Sequence, residues 1–166
     1  EKEYFDDAAL VGEMLAEAGI GVVFGGGGIG LMGKMADAVI SKNGHITGVI
    51  PGFMKKEGWG HNNLPEEIIT NDMNERKKTM FSLSDAVLAL PGGIGTIEEL
   101  TEAITLKQLS LWNGPIVILN TKGYYDSLFE FFNKMVENSF MRFEHKGIWE
   151  VVNTPHEAIA AVQRRT

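Results

Sequence analysis

Short apolar runs alternate with helix-forming stretches along the chain, and this alternation limits the fold more than any other feature. Most of the runs are apolar throughout, which is typical of parallel strands covered on both faces. The sequence therefore predicts an α/β fold with an open parallel sheet and helices on both faces. The predicted strands are 20–24, 46–50, 66–70, 86–90, 116–119 and 148–152, and the predicted helices are 10–18, 31–42, 72–82, 96–111, 125–137 and 155–163.

The length of 166 residues suits one globular domain, so residues 1–166 are predicted to form a single domain. Residue 1 is Glu and the chain opens in a helical pattern, so we expect that the first strand of the sheet is missing from it. Residues 53–65 carry glycine, asparagine and charge without a clear period, which predicts a functional loop.

Charge and composition narrow the class of partner. The 15 basic and 22 acidic side chains leave a net charge of −7, which repels nucleic acids and anionic membranes but still allows local binding of a small anion. No apolar run approaches the roughly 18 to 20 residues that span a bilayer, and nothing resembles a signal peptide, so we expect a cytoplasmic protein. The sequence has no cysteine and its four histidines lie far apart, so no metal site is expected.

The first glycine-rich turn, residues 25–33, follows a predicted strand, and Gly28, Gly30 and Gly33 satisfy the pattern G-x-G-x-x-G. A dinucleotide site also needs an acidic residue after the next strand, but Ile50 is followed by Pro-Gly, so binding of NAD is disfavoured. Two explanations remain open. The glycines allow either close packing of a helix or close approach of a smaller nucleotide.

The second turn, residues 91–99, frees several N–H groups where a helix begins, and such a helix start attracts phosphate. It lacks the Gly-Lys-Ser/Thr ending of a P-loop, so a monophosphate fits better than a triphosphate. The alternative is a capping box, in which Thr96 and Glu99 satisfy each other's backbone N–H groups. Spacing alone does not choose between Glu98 and Glu99 as a functional carboxylate.

A third segment, residues 71–78, also follows a predicted strand at a helix start. Asp72 and Glu75 are spaced as a cap pair. The three cations at 76–78 oppose the helix dipole, which indicates either an anionic partner or a solvated basic face.

These segments resemble a known family. Residues 91–99, PGGIGTIEE, are similar to the signature P-G-G-x-G-T-x-x-E, and residues 73–77, MNERK, are similar to M-H-x-R-K. Both are marks of the LONELY GUY family, some members of which were once labelled lysine decarboxylases. The resemblance extends over 25–33, the following Gly-Val-Ile-Pro of 48–51, and Gly-Tyr-Tyr-Asp of 123–126.

The resemblance implies a Rossmann-like fold, a homodimer, no cofactor, and hydrolysis of cytokinin riboside 5′-monophosphates or AMP to free base and ribose 5-phosphate. Carried over residue by residue, it implies that Arg76 and Glu99 are the catalytic pair, and we expect both to open onto one cleft. The implied substrate-binding residues are Gly26, Gly27, Glu57, Lys77, Gly92, Gly93, Ile94, Gly95, Thr96, Glu98 and Thr105.

The chain departs from the family pattern at three points: Asn74 replaces the usual His, Leu106 stands where plant members have Trp, and the first strand is absent. The first two predict an altered base preference. The main alternative function is a non-enzymatic carrier of a nucleotide or of the molybdenum cofactor, which needs the glycine turns but no hydrolytic carboxylate.

Overall fold

The computed structural model describes residues 1–164, which form two compact units, Glu1–Ser84 and a second from Asp85 onward. None of the helices in this described part is long and apolar enough to cross a membrane. The first unit contains α1 (Lys2–Glu17), β1 (Val22–Phe24), α2 (Gly30–Ser41), β2 (Ile46–Pro51), α3 (Gly52–Lys56), β3 (Glu66–Thr70) and α4 (Met73–Ser82). The second contains β4 (Val87–Ala89), α5 (Ile94–Gln108), β5 (Ile116–Leu119), α6 (Asp126–Glu137), β6 (Trp149–Val152) and α7 (Pro155–Gln163), with 3₁₀ turns at Thr121–Gly123 and Phe143–Gly147.

The first unit is built around a parallel sheet in the order β1-β2-β3. The central strand β2 is buried at every position because it has a neighbour on each side, Val22 pairing with Ile46 and Glu66 with Thr47. Helices α1 and α2 pack against each other, and Val11 and Val39 are among their buried side chains. All three strands run in the same direction, so their carboxyl ends meet at one edge of this sheet.

The second unit repeats this plan with a parallel sheet in the order β4-β5-β6. The central strand β5 is again buried throughout, and Leu100 and Ile159 are core residues of the flanking helices. The rings of Phe132 and Trp149 lie 5.2 Å apart, so α6 packs on β6. Helix α7 begins at a capping box made by Thr154 and Glu157.

The α/β class with parallel strands is confirmed, and most predicted elements appear within two residues of their predicted bounds. The single domain over residues 1–166 stays a prediction. The predicted loop 53–65 was partly wrong because α3 occupies its start. The strand at 86–90 is shorter than predicted, and only Ala89 of its three residues is buried, since β4 is an outer strand of its sheet.

Candidate active site

The first glycine turn is held by the segment that follows α3. The N–H of Gly28 donates to the carbonyl of Trp59 at 3.1 Å, and the N–H of His61 donates to the carbonyl of Gly26 at 2.8 Å. Gly26 has a φ of +74°, a conformation that favours glycine, and its missing side chain leaves room for Ile50. Residues 59–61 therefore lie directly across the turn.

Close packing explains one glycine of the G-x-G-x-x-G pattern. A Cβ atom on Gly33, in the first turns of α2, would overlap the carbonyl of Gly28. The helix thus approaches the turn so closely that a side chain is excluded. Of the two explanations left open by the sequence, helix packing is confirmed for Gly33, and nucleotide approach stays a prediction for Gly26 and Gly27.

Helix α4 carries a buried cation to the same turn. Asp72 caps the helix by accepting a hydrogen bond from the N–H of Glu75 at 2.8 Å, as predicted. In the next position Arg76 is only 7% exposed, and its guanidinium occupies the space that a side chain on Gly25 would take. Because α4 follows β3, the parallel strands bring this cation to the carboxyl end of β1. Lys77 is half-buried and Lys78 is exposed.

The structure shows a hydrogen-bonded pair, His61 and Asp37, that the sequence did not indicate. The His61 ring, whose side chain is 6% exposed, lies 2.9 Å from Asp37 of α2 through Nε2. Its Nδ1 accepts from the N–H of Asn63 at 3.2 Å, so the ring proton belongs on Nε2 and is donated to Asp37. This pair ties the segment after α3 to helix α2. Glu57, at the C-terminal end of α3, is exposed.

In the second unit, α5 begins at Ile94, two residues earlier than predicted, and its N-cap is Gly93. Because Gly93 is the N-cap, Thr96 lies inside the first turn rather than at the cap position, and the capping-box alternative is wrong. A side chain on Gly92 would overlap Thr96, whereas one on Gly93 or Gly95 would meet nothing within 4 Å in the described part of the chain. Thr96 therefore fills the space beside Gly92, whereas the space beside Gly93 and Gly95 could accept a ligand.

Burial distinguishes Glu98 from Glu99, which their spacing in the sequence does not. On α5, Glu99 is half-buried and Glu98 is exposed. Thr105 is exposed, and its hydroxyl donates to the carbonyl of Thr101 at 2.8 Å. A carboxylate that is partly withdrawn from water has the stronger electrostatic effect on a bound ligand, so Glu99 is the better candidate.

Two tyrosines support the second turn from the start of α6. The hydroxyl of Tyr124 donates to the carbonyl of Gly92 at 2.7 Å, and that of Tyr125 donates to the carbonyl of Leu90 at 2.6 Å. Asn120 holds the backbone of Tyr125, since its side-chain oxygen accepts from the N–H of Tyr125 at 2.7 Å. Burial raises the pKa of Tyr125, which keeps its hydroxyl protonated as a donor. Contacts at separations of 32 and 35 residues leave no periodic sign in the sequence.

The structure shows one close approach among these residues in each unit. In the first unit Arg76 lies against Gly25, the residue before Gly26 and Gly27, and in the second Thr96 lies against Gly92. Within residues 1–164 no three His, Asp or Glu side chains are grouped as metal ligands.

Comparison with known proteins gives a family match. The model of the family described as "Possible lysine decarboxylase" matches residues 32–162. A relative from Oryza sativa subsp. japonica, named "Probable cytokinin riboside 5'-monophosphate phosphoribohydrolase", is 40% identical over 163 residues, covering 98% of this chain and 73% of the relative. An Arabidopsis thaliana cytokinin riboside 5'-monophosphate phosphoribohydrolase is 43% identical over 138 residues, covering 83% of this chain and 65% of the relative.

Solved structures resemble the fold. A molybdenum cofactor binding protein from Rippkaea orientalis matches with a TM-score of 0.74 and 19% identity, covering 97% of this chain and 86% of that one. The molybdenum cofactor carrier protein of Chlamydomonas reinhardtii matches with a TM-score of 0.73 and 22% identity, covering 99% and 88%. At these identities the likeness shows the fold alone. The family match and the 40% identity across nearly the whole chain show that this protein belongs to the LONELY GUY family of cytokinin riboside 5′-monophosphate phosphoribohydrolases.

Proposed function

We propose that this protein hydrolyses the N-glycosidic bond of a nucleoside 5′-monophosphate, either AMP or a cytokinin riboside 5′-monophosphate. The products are the free base and ribose 5-phosphate. The observation that carries this proposal is the 40% identity, over 98% of the chain, to a relative whose name states that activity. The half-buried Glu99, beside a turn suited to phosphate, is consistent with it.

Glu99 is the proposed catalytic carboxylate. Cleavage passes through an oxocarbenium-like state with positive charge on C1′ of the ribose, which a nearby carboxylate stabilises. The oxygen of water bonds to C1′ while the bond from C1′ to the base nitrogen breaks. The electron pair leaves with the base, which takes up a proton. Glu99 serves this step by stabilising C1′ or by orienting the water.

The turn of residues 91–96 is the proposed phosphate site. The first four N–H groups of a helix have no acceptor within it, and in α5 they belong to Gly93, Ile94, Gly95 and Thr96. They coincide with the positive end of the helix dipole. A phosphate fixed there holds the sugar so that C1′ is positioned for attack, which turns remote binding energy into rate.

Arg76 is the second proposed catalytic residue, acting on either the phosphate or the departing base. Both are negative or become so in the reaction, and a buried guanidinium interacts with such charge more strongly than one in water. We propose that Gly26, Gly27, Glu57, Lys77, Glu98 and Thr105 make further substrate contacts. Asn74 and Leu106 are the departures proposed to alter the choice of base.

A requirement for the 5′-phosphate distinguishes the proposed activity from that of a nucleosidase, which cleaves nucleosides without a phosphate. We expect kcat/KM for AMP to exceed that for adenosine by at least about a hundredfold, because adenosine cannot use the helix start. Equal efficiency on the two compounds would refute the phosphate anchor. A carrier of nucleotide or molybdenum cofactor would bind its ligand without releasing a base.

We also propose a homodimer. Its support is the exposed apolar side chains that follow α4 in the first unit and α5 in the second: Leu83, Leu109 and Leu111 are each at least half exposed. Light scattering at micromolar concentration should give twice the mass of the 18.2 kDa chain. A mass of one chain would contradict this. The cytoplasmic location stays a prediction of the sequence.

A further inference from the structure

The peptide link between Gly92 and Gly93 determines the direction of the first donor of the proposed phosphate site. Its carbonyl oxygen, on Gly92, accepts a hydrogen bond from the hydroxyl of Tyr124 at 2.7 Å. In a planar trans peptide, the C=O and the following N–H point in opposite directions. Tyr124 therefore holds the N–H of Gly93 directed away from its own hydroxyl.

The link joins two residues of the type whose backbone rotates most easily. Glycines flank it on both sides, and glycine allows backbone rotations that other residues resist. Among residues 1–164, nothing lies within 4 Å of the position that a Cβ atom on Gly93 would take, so the space beside it is open. Rotation of the link by half a turn would replace the N–H with the Gly92 carbonyl, whose partial negative charge repels an anion. The hydroxyl of Tyr124 opposes that rotation.

Tyr125 offers an internal comparison. Its hydroxyl holds the carbonyl of Leu90 at 2.6 Å, but the next residue is Pro91, which has no N–H. Its ring lies edge-on to that of Tyr124 with centroids 5.0 Å apart, and it is only 1% exposed. The hydroxyls of two adjacent tyrosines thus hold two carbonyls that lie two residues apart, and only the carbonyl of Gly92 is followed by an N–H.

We propose that Tyr124 is a positioning residue for the phosphate monoester of the substrate, acting through the Gly92–Gly93 peptide. This rests on the proposed function, which places the phosphate at the start of α5. Tyr124 itself does not need to touch the ligand. Its hydroxyl keeps the first N–H donor directed for binding before the nucleotide arrives.

The test compares Tyr124→Phe with Tyr125→Phe, each of which removes one hydroxyl. For Tyr124→Phe we expect the KM for AMP and the inhibition constant of inorganic phosphate to rise about tenfold, the scale of one oriented hydrogen bond. Competitive inhibition by adenosine, which lacks phosphate, should stay unchanged. Tyr125→Phe should lower the melting temperature and leave the inhibition constant of phosphate unchanged.

Three outcomes overturn the inference. Tyr124→Phe that binds phosphate within twofold of the wild type removes the positioning role. If Tyr124→Phe weakens the binding of phosphate and of adenosine equally, the hydroxyl only supports the fold. The same follows if Tyr124→Phe and Tyr125→Phe change phosphate binding equally. If the wild-type protein releases no base from AMP, the proposed function is overturned. If the wild-type protein hydrolyses AMP but Tyr124→Phe leaves phosphate binding unchanged, this inference alone is overturned.

Discussion

The guanidinium of Arg76 occupies the space beside Gly25 that a side chain would fill, so the first glycine turn and the buried cation depend on each other. Gly25→Ala should therefore displace the guanidinium without removing any charge. We expect turnover of AMP to fall by roughly tenfold or more, approaching the loss in Arg76→Ala. Steady-state kinetics on both variants measures this.

Gly21→Ala is the matched control, because a Cβ there would meet, of the residues that the structure describes, only His45, at 4.0 Å. It should leave turnover unchanged. Normal turnover in Gly25→Ala, with the melting temperature also unchanged, would show that the position of Arg76 is unimportant for the reaction.

Glu99 and Glu98 are adjacent carboxylates that differ in burial, the first half-buried and the second exposed. Glu99→Gln should lower kcat by about a hundredfold or more, the usual effect of losing a positioned charged group. Glu98→Gln should change kcat by less than about threefold. Both variants should unfold at the same denaturant concentration as the wild type. The reverse ranking of the two kcat values would transfer the catalytic role to Glu98.

Gly92 and Gly93 are neighbours with different reasons to lack a side chain. Gly92→Ala would overlap Thr96 and should cost about 1–3 kcal/mol of stability, the usual range for overpacking. The methyl group of Gly93→Ala would meet nothing within 4 Å among residues 1–164, so stability should stay unchanged. The KM for AMP should rise, because a ligand at the helix start would meet that methyl group. Urea unfolding and kinetics separate the two effects. A Gly93→Ala variant with normal KM would argue against close approach of the phosphate.

The sequence predicted the strands well because a buried parallel strand is an uninterrupted apolar run, as Ile116–Leu119 illustrates. It misplaced the start of α5 because Gly95 suggests a turn, although glycine is also tolerated in a first helical turn. The hydrogen bond of Tyr124 to Gly92 and the burial of Arg76 depend on contacts with distant segments, which periodicity does not encode. The common cleft of Arg76 and Glu99 stays a prediction.

Glu157 gives the stability a specific pH dependence. Its carboxylate accepts hydrogen bonds from the N–H groups of Asn153 and Thr154, which lowers its pKa below the usual 4.5. A lowered pKa in the folded state means that the stabilisation is present above pH 4.5 and is lost as the pH falls through the folded pKa. Glu157→Gln should therefore be less stable than the wild type at pH 7, with the difference shrinking in acid. Urea unfolding that shows the same difference at both pH values would contradict this.

Product analysis of AMP hydrolysis tests the proposed function most directly. The wild-type protein is incubated with AMP, and adenine, adenosine, ribose 5-phosphate and inorganic phosphate are separated by chromatography over time. We predict that adenine and ribose 5-phosphate accumulate in equal amounts, at a rate that Glu99→Gln lowers by about a hundredfold. An N6-modified AMP is run in parallel to cover the alternative base. Formation of adenosine and phosphate, or recovery of both nucleotides unchanged, would contradict N-glycosidic hydrolysis.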